Sequence, residues 1–86
     1  MTVKAFVLIE IEVGKKDEIL TSLRQLKGVN VAHFVTGPYD IVAVLEVGDV
    51  TDIAGLIGVT IPSITGVTKT VTCIVMDDIS AFEGSL

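Results

Sequence analysis

Two short runs of the sequence, FVLI at residues 6–9 and IVAVL at residues 41–45, are apolar at every position. Each belongs to a longer segment rich in β-branched residues, which predicts a β-strand. Because successive side chains of a strand point to opposite faces, both strands are apolar on both faces. The sequence therefore favours a sheet in which these two strands are central and each face of the sheet is covered.

The other segments place these strands in a β-α-β-β-α-β order. Periodicity and turn residues predict strands at 3–13, 29–37, 39–47 and 67–76, and helices at 15–28 and from 49 or 51 to 61. Asp49 or Thr51 is the candidate cap of the second helix. Right-handed crossovers favour a ferredoxin-like α+β fold, a four-stranded antiparallel sheet with two helices on one face. We expect one domain at 1–76 and a C-terminal tail at 77–86, either docked or frayed.

Two helices can cover only one face of this sheet, so the other face needs a partner. Half of the residues are apolar and the mean hydropathy is +0.75, whereas a domain of this size buries only about 60 to 65% of its unfolded surface. The simplest cover is the sheet of an identical chain, which predicts a symmetric dimer. The odd-numbered and even-numbered apolar sets that both need cover are Val7, Ile9, Ile41, Ala43 and Leu45, and Phe6, Leu8, Val42 and Val44.

Composition argues against nucleic-acid and membrane roles. The formal net charge is −5 and the six basic residues are scattered, whereas direct binding to nucleic acid needs clustered Lys and Arg. The longest uncharged stretch, 53–68, contains three glycines and a proline and is shorter than the roughly 20 apolar residues of a spanning helix. Glu10 and Glu12 interrupt any signal peptide. We therefore expect a cytoplasmic protein.

Candidates for catalysis are few. His33 is the single histidine, and the chain has no phosphate-binding loop, dinucleotide fingerprint or zinc-protease motif. His33 is interpreted as structural or solvent-facing, Glu10 and Glu12 as solvated, and Cys73 as a buried thiol. The alternatives are a functional histidine, an acid–base pair and a reactive thiol. We expect no enzyme, no catalytic residues, no metal and no cofactor.

The segment TGPYD at 36–40 and the threonines of the last strand are candidates for ligand binding. Asp40 and Tyr39 have an ordinary interpretation as turn and packing residues, and threonine favours strands in any case. A carboxylate near backbone N–H groups would also match the two charged ends of an amino acid in an otherwise apolar pocket. Both interpretations are open at this point for Asp40 and for Thr68, Thr70 and Thr72.

The phrase VTGPYDIVAVLEV resembles the TG-x-[YF]-D hairpin of the effector-binding (RAM) domain of the Lrp/AsnC transcription regulators. The closing run ITGVTKTVTCIVM resembles the GV-x-x-[ST]-x-T strand of that domain. The resemblance covers about residues 3–76. It implies dimers formed through the sheets, rings of dimers, and a small amino-acid effector bound between dimers. By position it implies ligand contacts from Gly37, Tyr39, Asp40, Thr70 and Thr72.

The chain departs from the family pattern in two ways. It begins at the first strand, so it resembles stand-alone forms without the helix-turn-helix domain, and regulation would pass through partners such as full-length Lrp/AsnC regulators. Pro38 also removes a backbone donor within the motif. The sequence is thus interpreted as an amino-acid-sensing homo-oligomer in transcription regulation. The alternatives are a small dimeric α+β barrel enzyme, of the monooxygenase or isomerase type, that uses His33 or a strand glutamate, and a structural assembly partner with an inactive site.

Overall fold

The computed structural model describes residues 2–76 and confirms the predicted order of elements. The predicted tail at 77–86 lies outside the described residues. Each predicted strand is present with somewhat shorter ends, and the fold is ferredoxin-like α+β. The elements are β1 (Val3–Ile11), α1 (Lys16–Arg24), β2 (Val29–Phe34), β3 (Ile41–Val47), α2 (Val50–Gly55), a π-helical segment at Leu56–Thr60, and β4 (Val67–Ile74).

The four strands form one antiparallel sheet in the order β2-β3-β1-β4. The two strands that are apolar on both faces, β1 and β3, are therefore central, as predicted. Val7 lies opposite Ala43 on one side and Thr72 on the other. This register places the odd-numbered residues of β1 and β3 on one face and the even-numbered residues on the other.

The odd-numbered face is the core of the described part. Residues of β1 and β3 on this face are fully buried, and apolar residues of α1, α2 and the π-helical segment pack against them. Arg24, at the end of α1, donates from Nε and Nη2 to the carbonyl of Ala32 at 3.1 and 2.9 Å, which ties the helix to β2. The fully buried aliphatic side chains include Val7, Ile9, Ile19, Leu23, Ile41, Leu45, Ile53 and Ile61.

The opposite face, which we call the open sheet face, has no cover in the single chain. Phe6 and Val31 are each 41% exposed there. Cys73 lies opposite Phe6 and is exposed, so the prediction of a buried thiol is wrong for the single chain because this face is uncovered. The register gives the central part of the open sheet face as Phe6, Leu8, Val31, His33, Val42, Val44, Val71 and Cys73, and it places the charged pairs Lys4–Glu46 and Glu10–Lys69 nearer the two ends of this face.

Both edge strands are irregular. In β4 the pairing with β1 shifts by one residue between Glu10 and Ile11, which leaves Thr68 as the extra residue. The Thr68 hydroxyl donates to the Glu10 carbonyl at 3.0 Å. In β2 the pairing with β3 shifts between Val29 and Val31, which leaves Asn30 unpaired. Each edge therefore carries a β-bulge.

The helices differ from their predicted extents. Helix α1 ends at Arg24 rather than near Gly28, and a turn follows it. Asp49 caps α2: its Oδ1 accepts from the Thr51 N–H at 3.3 Å. The expected continuous second helix changes to π-helical geometry after Gly55. Glycine and β-branched residues give weak helix propensity there, so tertiary packing decides the hydrogen-bond register.

No helix of residues 2–76 is long and apolar enough to cross a membrane.

Gly28 allows a prediction about stability. Its φ is +99°, and a Cβ atom there would lie 2.9 Å from both Leu56 Cδ1 and Val47 Cγ1. We expect Gly28→Ala to reduce the free energy of unfolding by about 2 kcal/mol, from left-handed backbone strain together with overpacking. Gly14 is the matched control, since its φ is +89° with nothing within 4 Å. Equal losses for the two alanine variants in urea denaturation would contradict the packing part of this prediction.

Candidate functional site

The TGPYD segment forms the connection between β2 and β3. The Val35 N–H donates to the Asp40 carbonyl at 2.9 Å and closes the connection, and the Asp40 N–H donates to the Ile9 carbonyl at 3.0 Å. Gly37 has a φ of +131°, a conformation that L side chains rarely adopt, and nothing lies within 4 Å of where its Cβ would be. The backbone therefore requires glycine at this position whether or not a ligand binds.

Asp40 also has a structural role that the sequence did not reveal. Its Oδ2 accepts from the Ile11 N–H at 2.9 Å. Because β3 begins only at Ile41, this carboxylate serves as an acceptor for the end of β1 beyond the regular pairing with β3. Asp40 is exposed, so the carboxylate also remains within reach of a ligand. The turn interpretation and the ligand interpretation are thus compatible in one side chain.

Asp40 lines a groove of about 340 Å³ between the start of α1 and the connection from β2 to β3, which we call the hairpin groove. Its walls combine apolar side chains with charges of both signs. This is the mixture that the recognition of a small zwitterion requires. The residues that line it are Ile11, Glu12, Val13, Gly14, Lys16, Phe34, Val35 and Asp40.

Lys16 and Phe34 are groove residues that the sequence did not suggest. The Lys16 Nζ lies 5.4 Å from the centroid of the Phe34 ring, within the range of a cation–π contact. Phe34 ends β2 and Lys16 begins α1. Their proximity depends on how α1 docks on the sheet, and no local sequence pattern reports that distance. The one indication in the sequence that Lys16 belongs to the groove was its place at the start of a helix, four residues after Glu12.

The predicted site residues do not all converge within one chain. Gly37 and Tyr39 belong to the same connection as Asp40, but they do not line the hairpin groove. Thr70 and Thr72 lie opposite Ile9 and Val7 on β4, on the helix side of the sheet, and both are half-buried. Since β1 separates β3 from β4, Thr70 lies about 10 Å from β3, the strand that begins directly after Asp40.

A second and larger groove, of about 590 Å³, lies at the other end of the sheet, between the end of β3 and α2. None of the predicted site residues lines it. Its walls also combine charges of both signs with apolar side chains, so the two grooves do not differ in this respect. We place the candidate site at the hairpin groove because that groove contains Asp40 of the TGPYD segment. Within residues 2–76, no cluster of His, Cys, Asp and Glu could hold a metal ion.

His33 lies away from both grooves. It faces Val42 on the open sheet face and is exposed, in agreement with its interpretation as structural or solvent-facing. It is therefore placed among aliphatic side chains.

Comparisons with known proteins agree with this fold. A family model, the Lrp/AsnC ligand binding domain, matches residues 4–83. The structure of TTHA0845 from Thermus thermophilus is similar, with a TM-score of 0.84, 30% identity and coverage of 88% of this chain and 95% of that one. Escherichia coli AsnC has a TM-score of 0.81 and 23% identity, with coverage of 88% and 52%. No curated protein sequence matched the chain.

A third similar structure is the complex of the transcriptional regulator NMB0573 with L-Met, from Neisseria meningitidis. It has a TM-score of 0.80 and 22% identity, and covers 90% of this chain and 51% of that one. At this identity the likeness shows the fold alone. The family model spans nearly the whole described sheet, both helices and the hairpin groove, so the chain belongs to the Lrp/AsnC ligand-binding domain family.

Proposed function

We propose that this chain is an amino-acid-sensing module that binds a small amino acid at an oligomer interface and acts in transcription regulation. The observation that carries the proposal is the position of Asp40 at the hairpin groove of a Lrp/AsnC ligand-binding domain. Gly37, Tyr39, Thr70 and Thr72 are the other proposed ligand-binding residues. A structural neighbour, NMB0573, was solved in complex with L-Met, which supports an amino acid as the ligand class.

The chemistry of the groove supports the same class. A free carboxylate oxygen on Asp40 would accept from the α-ammonium group of an amino acid, and such charge-assisted hydrogen bonds are about twice as strong as neutral ones. Oδ2 already accepts from Ile11, so Oδ1 is the atom proposed to meet the ligand. The apolar walls would exclude water around this contact.

The second part of the proposal is assembly. The open sheet face is an apolar surface at the centre of the sheet. A second copy of the chain is the proposed occupant, because the same face of two copies can pair about a two-fold axis. Pairing of dimers into a ring would bring Thr70 and Thr72 of one copy towards the hairpin of another. This arrangement would complete the site, because β1 separates the strand of the two threonines from the strand that follows Asp40, by about 10 Å within one chain.

The third part concerns the output. The net charge of −5 disfavours direct contact with DNA by the chain itself. We therefore propose that its effect on transcription passes through protein partners, among them full-length Lrp/AsnC regulators in mixed assemblies. An amino acid would change this assembly only through different affinities for the two assembly states.

The test of the ligand site is Asp40→Asn, which keeps a side-chain oxygen to accept from Ile11 but removes the negative charge. If one of the twenty amino acids binds the wild type in calorimetry, we expect Asp40→Asn to bind it about tenfold more weakly, from the loss of a charge-assisted hydrogen bond. Asp52→Asn, an exposed acid at the other end of the sheet, is the matched control and should bind as the wild type does.

Two outcomes would separate the parts of the proposal. Unchanged affinity in Asp40→Asn would move the site away from the hairpin and leave the sensing function in place. No binding of any amino acid to the wild type would reject the sensing function itself. Asp40→Ala is a poorer test, because it also removes the acceptor of the Ile11 N–H.

A further inference from the structure

The hairpin groove contains one cationic side chain among the described residues that line it, and this is Lys16. Its ammonium group lies over the ring of Phe34, 5.4 Å from the centroid. Lys16 forms no ion pair with Asp40 or Glu12, and the ion pair found in residues 2–76 joins Lys4 and Glu46 at 3.5 Å. The positive and negative groups of the groove therefore do not neutralise each other directly.

The connection between β2 and β3 offers no unused backbone donor at the wall of the hairpin groove. Of its residues only Val35 and Asp40 line the groove, and their N–H groups already donate to the carbonyls of Asp40 and Ile9, while Pro38 has no N–H group. A carboxylate bound here therefore needs a donor from another element. Lys16 supplies three N–H donors on a flexible stem, and the Phe34 ring beneath it limits where the ammonium group can lie.

The remaining walls indicate the kind of side chain that the groove would accept. Phe34 is 42% exposed, Val35 is 39% exposed, and Val13 is fully exposed. These are large apolar surfaces left open at the edge of a small domain, beside the two opposite charges. An aliphatic or thioether side chain would cover them, whereas a charged or amide side chain would gain no polar partner from them.

From this juxtaposition we infer that Lys16 is a specificity-determining residue. It binds the α-carboxylate of an apolar amino acid whose α-ammonium group lies on Asp40, while the side chain packs on Phe34. This assignment rests on the proposed function and deepens it, because it names the substrate class and the carboxylate anchor. It also explains how a hairpin that contains Pro38 retains a complete zwitterion site.

The experiment titrates L-leucine, L-methionine and their carboxamides into four proteins by calorimetry: the wild type, Lys16→Gln, Lys16→Arg and Lys27→Gln. The carboxamides keep the ammonium group and the side chain but lack the carboxylate charge. Lys27 is exposed and follows the other end of α1, so Lys27→Gln controls for the loss of one positive charge.

We expect the wild type to bind at least one of the two acids about tenfold more tightly than its carboxamide. Lys16→Gln should bind that acid about tenfold more weakly and bind the carboxamide as the wild type does. Lys16→Arg should keep the preference for the acid within about threefold, and Lys27→Gln should be unchanged. A purely structural role for Lys16 would lower both affinities equally and would not alter the preference.

Two results would overturn the inference while the sensing function stands. One is an unchanged preference for the acid in Lys16→Gln. The other is binding of only polar or charged amino acids to the wild type. If the wild type binds none of the twenty amino acids, the proposed function fails and this assignment fails with it. A calorimetric screen of the twenty amino acids against the wild type accompanies these titrations, and the two together distinguish the three results.

Discussion

Phe6→Asp is expected to prevent formation of the proposed dimer and leave the protein a monomer. Phe6 lies on the open sheet face, paired with Val44 on β3 and Cys73 on β4, near the middle of the proposed interface. A carboxylate at this position would be buried against the apolar face of a second copy, at a cost of several kcal/mol. A cost of about 4 kcal/mol corresponds to a dissociation constant raised about a thousandfold.

The loss of the dimer in Phe6→Asp should be visible as a lower molar mass by light scattering on size-exclusion chromatography across micromolar concentrations. Since Phe6 is 41% exposed in the single chain, the aspartate would be solvated in the monomer, and far-ultraviolet circular dichroism should stay unchanged. Val59→Asp is the control: Val59 is 69% exposed in the π-helical segment, away from the open sheet face. A Phe6→Asp protein that still forms dimers would show that the sheet faces do not form the interface.

Leu23→Ala is expected to have the largest effect on folding. Leu23 is 0% exposed and joins α1 to the core on the sheet. Truncation of a fully buried leucine removes its apolar burial and leaves a cavity, which costs about 3 kcal/mol. For an 86-residue chain, that loss is a large part of the roughly 5 to 15 kcal/mol typical of folded domains.

Urea denaturation measures this loss as a lower midpoint with an unchanged slope. The comparison needs one fixed protein concentration, because the proposed dimer would also contribute to apparent stability. Thr21→Ala, an exposed change on the same helix, should have little effect. A loss of unfolding free energy below about 1 kcal/mol for Leu23→Ala would mean that Leu23 does not join α1 to the core on the sheet.

Several elements of the fold followed from sequence for clear physical reasons. The two strands apolar on both faces are β1 and β3, and the sheet places both at its centre. A strand's alternation is local, so the sequence separated the odd-numbered from the even-numbered residues, whereas which set the helices bury was known only from the structure. Asp49 was one of two candidate caps, and its short side chain reaches the N–H of Thr51.

Other features could not be read from the sequence, because they depend on distances across the fold. The hydrogen bond from Ile11 to Asp40 spans 29 residues, and the approach of Lys16 to Phe34 depends on the docking of α1. The change from α-helical to π-helical geometry within the second helix was also missed. Gly55 and Gly58 weaken α-helical preference without specifying the π-helical geometry that replaces it.

The site prediction had the same limit. The TGPYD motif identified Asp40, whose position at the hairpin groove supports the proposal. It did not identify the groove residues on other elements. Thr70 and Thr72 stay a prediction, because the contribution proposed for them requires contacts between copies of the chain rather than contacts within it.

The bulges at Thr68 and Asn30 bear on the edges of the sheet in so apolar a chain. An edge strand with a regular row of free N–H and C=O groups is a template for further strands, and this is a route to aggregation. Here both outer strands carry an extra residue that breaks that row, so growth of the sheet by addition of strands at either edge is disfavoured. The assembly that we propose uses the faces instead, where a limited number of copies can close on one another and growth would stop.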